Sequence, residues 1–191
     1  GADFVSTAMA IDGVAAVEAR RQADTPIRIG DHLLQGRLIG MPQDGQPAIN
    51  QIDVIDGTYL TSDRPNGVVA EIHLAEEFDL ALGDTIDILA GAEWAEAEVV
   101  GIAISPEYIW PAESTQNFFP PPGTFGVAFI STDALAPLPT TAVADQTLVV
   151  YEDGANREAT DAAVESAALA AGAVSTMTRA EQPSNAGLKL D

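Results

Sequence analysis

The chain has 191 residues, 47% hydrophobic and 19% charged, with a formal net charge of -21 and no cysteine. These totals describe one ordinary globular domain or a pair of small ones. A surface with 29 carboxylates against eight cations repels nucleic-acid phosphates, so no nucleic acid partner is expected, and disulfides, thiolate metal sites and a thiol nucleophile are excluded.

The acidic residues are interspersed with apolar ones rather than gathered in blocks, which argues against disorder. No run approaches the roughly 20 apolar residues of a membrane helix, and "GADFVSTAM" lacks the basic start and apolar run of a signal peptide.

In chain order, "DFVSTAMAID" predicts a short helix stopped by Gly13, and "VAAVEARRQ" a strand. "HLLQGRLIGMP" (32–42) and "AINQIDVIDG" (48–57) are two further extended candidates. Residues 66–105 read as strand, short helix, turn, strand, hairpin, strand. Leu74, Ala75, Phe78 and Leu80 make one apolar helix face, "LGDT" supplies a turn, and "GAEW" a hairpin loop before "AEAEVVGIAIS".

The next stretch is unlike the rest. "SPEYIWPAESTQNFFPPPGTF" holds five of the eleven aromatic residues and five of the twelve prolines, so it is neither helix nor central strand. Such a segment either buries its rings in a joint or presents them to a partner. The buried reading is favoured; a split, with Trp110 inside and the Phe118–Phe119 pair outside, is the alternative.

In the C-terminal third, "QTLVVYED" reads as a strand. "NREATDAAVESAALAAG" reads as a helix with Ala159, Ala163, Val164, Ala167 and Ala168 on one face and Gly172 at its end. "AVSTMTRA" alternates as another strand, which predicts a β-α-β unit. The pattern is a β-rich module inserted between two α/β flanks.

Reagents for catalysis are scarce. His32 and His73 have no HxH or HxxxH partner, and "DVIDG" and "EDGAN" lack the ligand spacing of a calcium loop. No nucleophile elbow, P-loop or dinucleotide fingerprint occurs. No cofactor and no metal site are expected.

"LAEEFDLALGDTIDIL" followed by "AEVVGIAISPEYIWP" resembles the extracytoplasmic, MacB-like periplasmic core domain of FtsX-like ABC transporter permeases. The shared features are an Ala-containing helix, a Leu-x-x-Gly-Asp turn with its strand, and a Val-Val-Gly-Ile strand. They fall on Ala75, Leu80, Gly83, Asp84 and Ile86, and on Val99, Val100, Gly101 and Ile102. "GVAAVEARRQ" is similar to the family's opening strand, and "TRAEQPSNAGLKLD" to its return segment.

The resemblance implies an α+β fold, with a porter-like α/β subdomain formed by residues 1–58 and 122–191. A small β-rich, sabre-like subdomain at 59–121 would be inserted in it and would include the aromatic loop 105–121. It also implies a non-catalytic extracellular domain at the cell membrane, between two membrane helices, coupling their motion to substrate export or release or to partner contact. ATP hydrolysis would belong to a separate cytoplasmic ATPase subunit, and a second permease copy would complete the transporter. The substrate would be a peptide, a lipid or a protein, and the candidate contacts are Tyr108, Ile109, Trp110, Phe118 and Phe119. A stand-alone acidic cell-surface binding module is the alternative.

Overall fold

A computed structural model describes residues 2–110, 112–114, 117, 120–136 and 143–183. The fold is α+β, dominated by strands. A helix α1 (Ala2–Met9) leads into β1 (Val14–Ile29), which turns at Gly30 and Asp31 into β2 (His32–Met41). β3 (Asp53–Gly57) and β4 (Gly67–Glu71) follow, then α2 (Ile72–Glu77), β5 (Thr85–Ala90) and β6 (Glu93–Ile104). Beyond the aromatic segment come β7 (Phe125–Ser131), α3 (Thr132–Leu135), β8 (Val143–Tyr151) and α4 (Arg157–Ala170).

Six strands close into a ring. β2 pairs in parallel with β7, β7 antiparallel with β4, β4 in parallel with β6, and β6 antiparallel with β5. β5 meets β1 at Ile27–Ile88 and Arg28–Asp87, and β1 returns to β2 along Gln22–Ile29. β8 lies outside the ring on the first half of β1, and β3 lies outside it on the end of β6.

Side-chain alternation divides the apolar residues between two cores. Ala23, Ile27, Leu38, Val68, Ala70, Ile86, Val99, Ala128 and Ile130 point into the ring. α2 and α3 follow the C-terminal ends of β4 and β7, which are antiparallel, so the two helices sit at opposite ends. There Leu74 and Leu135 join the inner core. Ile39, Met41, Val69, Val100, Val127 and Phe129 point outward and are covered by Ile52, Leu60, Tyr108 and Phe125. All of β4 and β7 are buried on both faces, which is why "GVVAE" and "FGVAFIS" show no alternation.

β6 carries a bulge. Val68 faces Val99 but Val69 faces Gly101, so Val100 is an extra residue in β6. Before it Ala97 and Val99 face the inner core; after it Ile102 packs against the inner core while Val100 and Ala103 lie in the outer one, so the bulge resets the alternation.

Three expectations change. The strand expected at 173–180 does not form: these residues run as irregular chain into a 3-10 turn at Arg179–Glu181, and Val174 is fully exposed. Their alternation sorts Ser and Thr more than apolar groups, so pairing would bury little. The β-α-β unit stops at α4, and among the described residues β8 pairs with β1 alone. Of "AINQIDVIDG" only Asp53–Gly57 is a strand; the preceding residues bury Ile49 and Ile52 without regular structure. β1 continues seven residues past Gln22.

The boundary expected between 59–121 and the rest runs through the ring. β4 pairs with β7 and β5 with β1, and both sides contribute to each core. Among the described residues no helix is long and apolar enough to cross a membrane.

Candidate functional site

One row of β1 is polar and only partly exposed: Glu18, Arg20, Gln22 and Asp24 alternate with exposed Ala19, part-exposed Arg21 and buried Ala23, and beyond them Ala23, Thr25, Ile27 and Ile29 are all buried. Charged groups on a covered sheet face need partners, and two later segments supply them. The Glu18 carboxylate accepts the Ile49 N–H at 3.0 Å. Arg20 forms a fork with Glu107, Nη2 donating to Oε1 at 2.8 Å and Nη1 to Oε2, with side chains only 8% and 10% exposed. Its Nε donates to Gln146 on β8 at 2.9 Å. Arg37, opposite Asp24 on β2, makes a second fork to that carboxylate at 2.7 and 2.8 Å and donates to the Glu113 carbonyl at 3.0 Å. Gln146 Nε2 donates to Gln22 Oε1 at 3.1 Å, and Gln22 Nε2 to Asp24 Oδ1 at 3.4 Å, which joins the two forks into one network.

Above this floor the chain reverses in a tight turn. The Tyr108 N–H donates to the Ser105 carbonyl, and the Glu107 N–H to the buried Ser105 hydroxyl. The turn drives Tyr108 inward onto Arg37. Burial pushes its hydroxyl up to about 12, against the opposing pull of the Arg37 charge. Burial also works to lower the Arg37 pKa, but bonding to Asp24 and Tyr108 reverses that and raises it.

The same turn sends Ile109 and Trp110 outward, 49% and 47% exposed. The Trp110 ring sits 6.3 Å from the His73 ring at a 59° tilt. Beneath His73 lies Glu71, a carboxylate 1% exposed that caps α2.

The expectation for this loop is corrected in one respect. Trp110, expected inside, is exposed, and Tyr108 takes the inner place. Two guanidinium groups line the floor, and they require an acceptor; a phenol oxygen can accept, whereas an indole N–H only donates. Ile109 and Trp110 are half exposed, Tyr108, also expected at the contact surface, is buried, and Phe118 and Phe119 lie outside the described residues.

The motif residues Ala75, Leu80, Gly83, Asp84, Val100 and Gly101 converge elsewhere. α2 ends in a turn whose Leu80 N–H donates to the Ala75 carbonyl at 2.9 Å, with Asp79 left-handed at φ 50°. Gly83, at φ 88°, donates to the Val99 carbonyl, and the Val99 N–H returns to the Asp84 carbonyl at 2.8 Å. The Asp84 carboxylate closes the turn on the Ala81 N–H at 2.8 Å. Gly101 packs against the backbone at Thr58, where a Cβ would lie 2.3 Å from the carbonyl oxygen. These residues build the junction between turn and bulge.

Sequence reasoning missed Arg20, Arg37, Glu107 and Glu71. The signal was present for the first: "VEARRQAD" carries a polar residue at every second position of a strand, which points to a buried polar partner. Among the described residues no three metal-capable side chains come together.

Comparison with known proteins gives a consistent result. A family model described as the MacB-like periplasmic core domain matches residues 2–167. The extracellular domain of the noncanonic ABC-type transporter YknZ from Gram-positive bacteria is similar in fold, with a TM-score of 0.55 and 16% identity, over 89% of this chain and 83% of that one. The periplasmic region of MacB from Actinobacillus actinomycetemcomitans gives a TM-score of 0.53 and 12% identity, over 90% and 74%. No curated protein matches the sequence.

Proposed function

Because the chain belongs to the MacB-like periplasmic core domain family, we propose that it is the extracytoplasmic domain of an ABC transporter permease that transmits motion between the membrane and a partner or substrate. It stands between two membrane helices of the parent protein, carries out no catalysis, and works with a cytoplasmic ATPase subunit and a second permease copy. Residues 59–121, whose strands β4, β5 and β6 belong to the ring, carry Ile109 and Trp110, and these two are the contact surface.

The observation that carries this reading is the way the two ends of the domain are fastened together. β1 begins beside the end of β8, with Val14 paired to Tyr151. The Glu152 N–H donates to the Gly13 carbonyl at 2.8 Å, and the Thr160 hydroxyl of α4 to the Asp12 carbonyl at 3.2 Å. Gly13 fits so closely that a Cβ would lie 2.7 Å from the Thr160 oxygen. A displacement applied at α1 or α4 is therefore delivered to β1, which pairs with β8, β2 and β5.

The test is to read the parent gene beyond both ends. Apolar runs of about 20 residues flanking the domain are expected. A stop codon directly after Asp191 with no upstream membrane helix would remove the transporter reading and leave an acidic cell-surface binding module.

A further inference from the structure

The forks on β1 do more than satisfy buried charge. An ion pair with both partners nearly buried is a poor source of stability, since well-packed apolar residues of similar volume serve as well; what it adds is geometry. The Arg20 guanidinium is planar and held at three points, by two Glu107 oxygens and Gln146, so it fixes the turn that carries Glu107 in position and orientation. Arg37 repeats the device six residues further on, holding the Glu113 backbone while its other face is fixed by Asp24. Ile109 and Trp110 lie between these two anchor points.

We propose that Arg20 and Arg37 are positioning residues that strap residues 105–110 and Glu113 to β1 and β2, so that Ile109 and Trp110 form a fixed surface moving with those strands. This rests on the reading of Ile109 and Trp110 as a contact surface, but the strap itself is measurable without any partner. Through it, a shift of β1 relayed from the ends of the domain reaches Trp110 without passing through the hairpin of β5 and β6.

The experiment uses this domain with Trp94→Phe, which leaves Trp110 as the single indole. Acrylamide quenching of Trp110 and amide exchange at 105–110 are compared across four proteins: the parent, Arg20→Lys, the charge-neutral pair Arg20→Gln with Glu107→Gln, and Arg21→Gln. The last removes an exposed pair with Asp145 from the opposite face of the same strand. The neutral pair should raise Trp110 accessibility about twofold, from roughly half exposed to fully exposed. It should also speed exchange at 105–110 about tenfold, while exchange in β4 and β7 stays at the parent level. Arg20→Lys, which keeps the charge but loses the fork, should move both readouts in the same direction, and Arg21→Gln neither. Parent-like quenching and exchange in a folded neutral-pair variant would overturn the strap. If that variant fails to fold, the same result in Arg20→Lys would overturn it. Failure of the contact reading shows differently: Trp110→Ala in the full-length permease would leave transport unchanged while the strap readouts stand.

Discussion

The Glu71 carboxylate, 1% exposed, accepts the His73 backbone N–H at 2.9 Å and meets the Nδ1 of the same residue at 2.9 Å. One side chain thus caps α2 and orients the imidazole that lies against Trp110. Burial raises the Glu71 pKa, and the charge and hydrogen bonds of His73 oppose that without cancelling it.

A pH dependence follows. An acid whose pKa is higher in the folded than in the unfolded state contributes stability that is complete below its ordinary value of 4.5 and is lost as pH rises through the raised one. Glu71→Gln has no such charge to bury. Thermal unfolding from pH 4 to 7 should show the variant gaining on the parent as pH rises. A constant difference across that range would contradict the direction of the shift.

Tyr108 and Trp110 should respond to substitution in opposite ways. Tyr108→Phe removes a hydrogen bond to a buried cation and should cost about 1–3 kcal/mol in denaturant unfolding. Trp110→Ala, at an exposed ring, should change stability by less than about 1 kcal/mol. Equal losses at the two positions would mean that the loop is not oriented as described.

Gly101→Ala tests the bulge. Its Cβ would meet the Thr58 carbonyl oxygen at 2.3 Å, and backbone on both sides resists the shift that would relieve it. A loss of about 1–3 kcal/mol is expected, accompanied by faster amide exchange across β3. A stability equal to the parent's would show that β3 docks less closely on β6.

Asp79 occupies the left-handed position that ends α2, where glycine fits without a Cβ penalty. Asp79→Gly should stabilise the domain by about 0.5–1 kcal/mol, seen as a higher denaturant midpoint with unchanged slope. A lower midpoint would indicate that the aspartate carboxyl has a stabilising partner.

Much of the fold was legible wherever the signal was local. The α4 helix, the β5–β6 hairpin and the strand at "QTLVVY" follow from spacing, turn chemistry and β-branched content. What sequence pattern could not supply was pairing at a distance: the contact between β5 and β1 that closes the ring joins residues some sixty positions apart. Pro26 also concealed the length of β1. A proline reads as a strand end, yet here it lies opposite Gln35, whose own N–H is directed to the Thr124 carbonyl on the other side. The segment at 173–180 misled in the opposite sense, since alternation of small polar residues imitates a strand that has nothing to bury. At the aromatic loop, composition marked the right segment. Which ring turned inward depended on Arg20 and Arg37, and these lie more than 70 residues away.

β1 is 16 residues, or about 50 Å, of strand, with one irregularity of register between Val14 and Ala16 and, from Glu18 onward, two rows of side chains in different surroundings. Removing or adding one residue near its centre would exchange those rows on one side of the change, for example turning Ile27 and Ile29 outward and Arg28 toward the inner core. The length of this strand is accordingly closed to insertion and deletion, although point substitutions along it can be absorbed. Related chains should therefore differ in length in the connections, such as the one between β2 and β3, and keep the count from Glu18 to Ile29 intact.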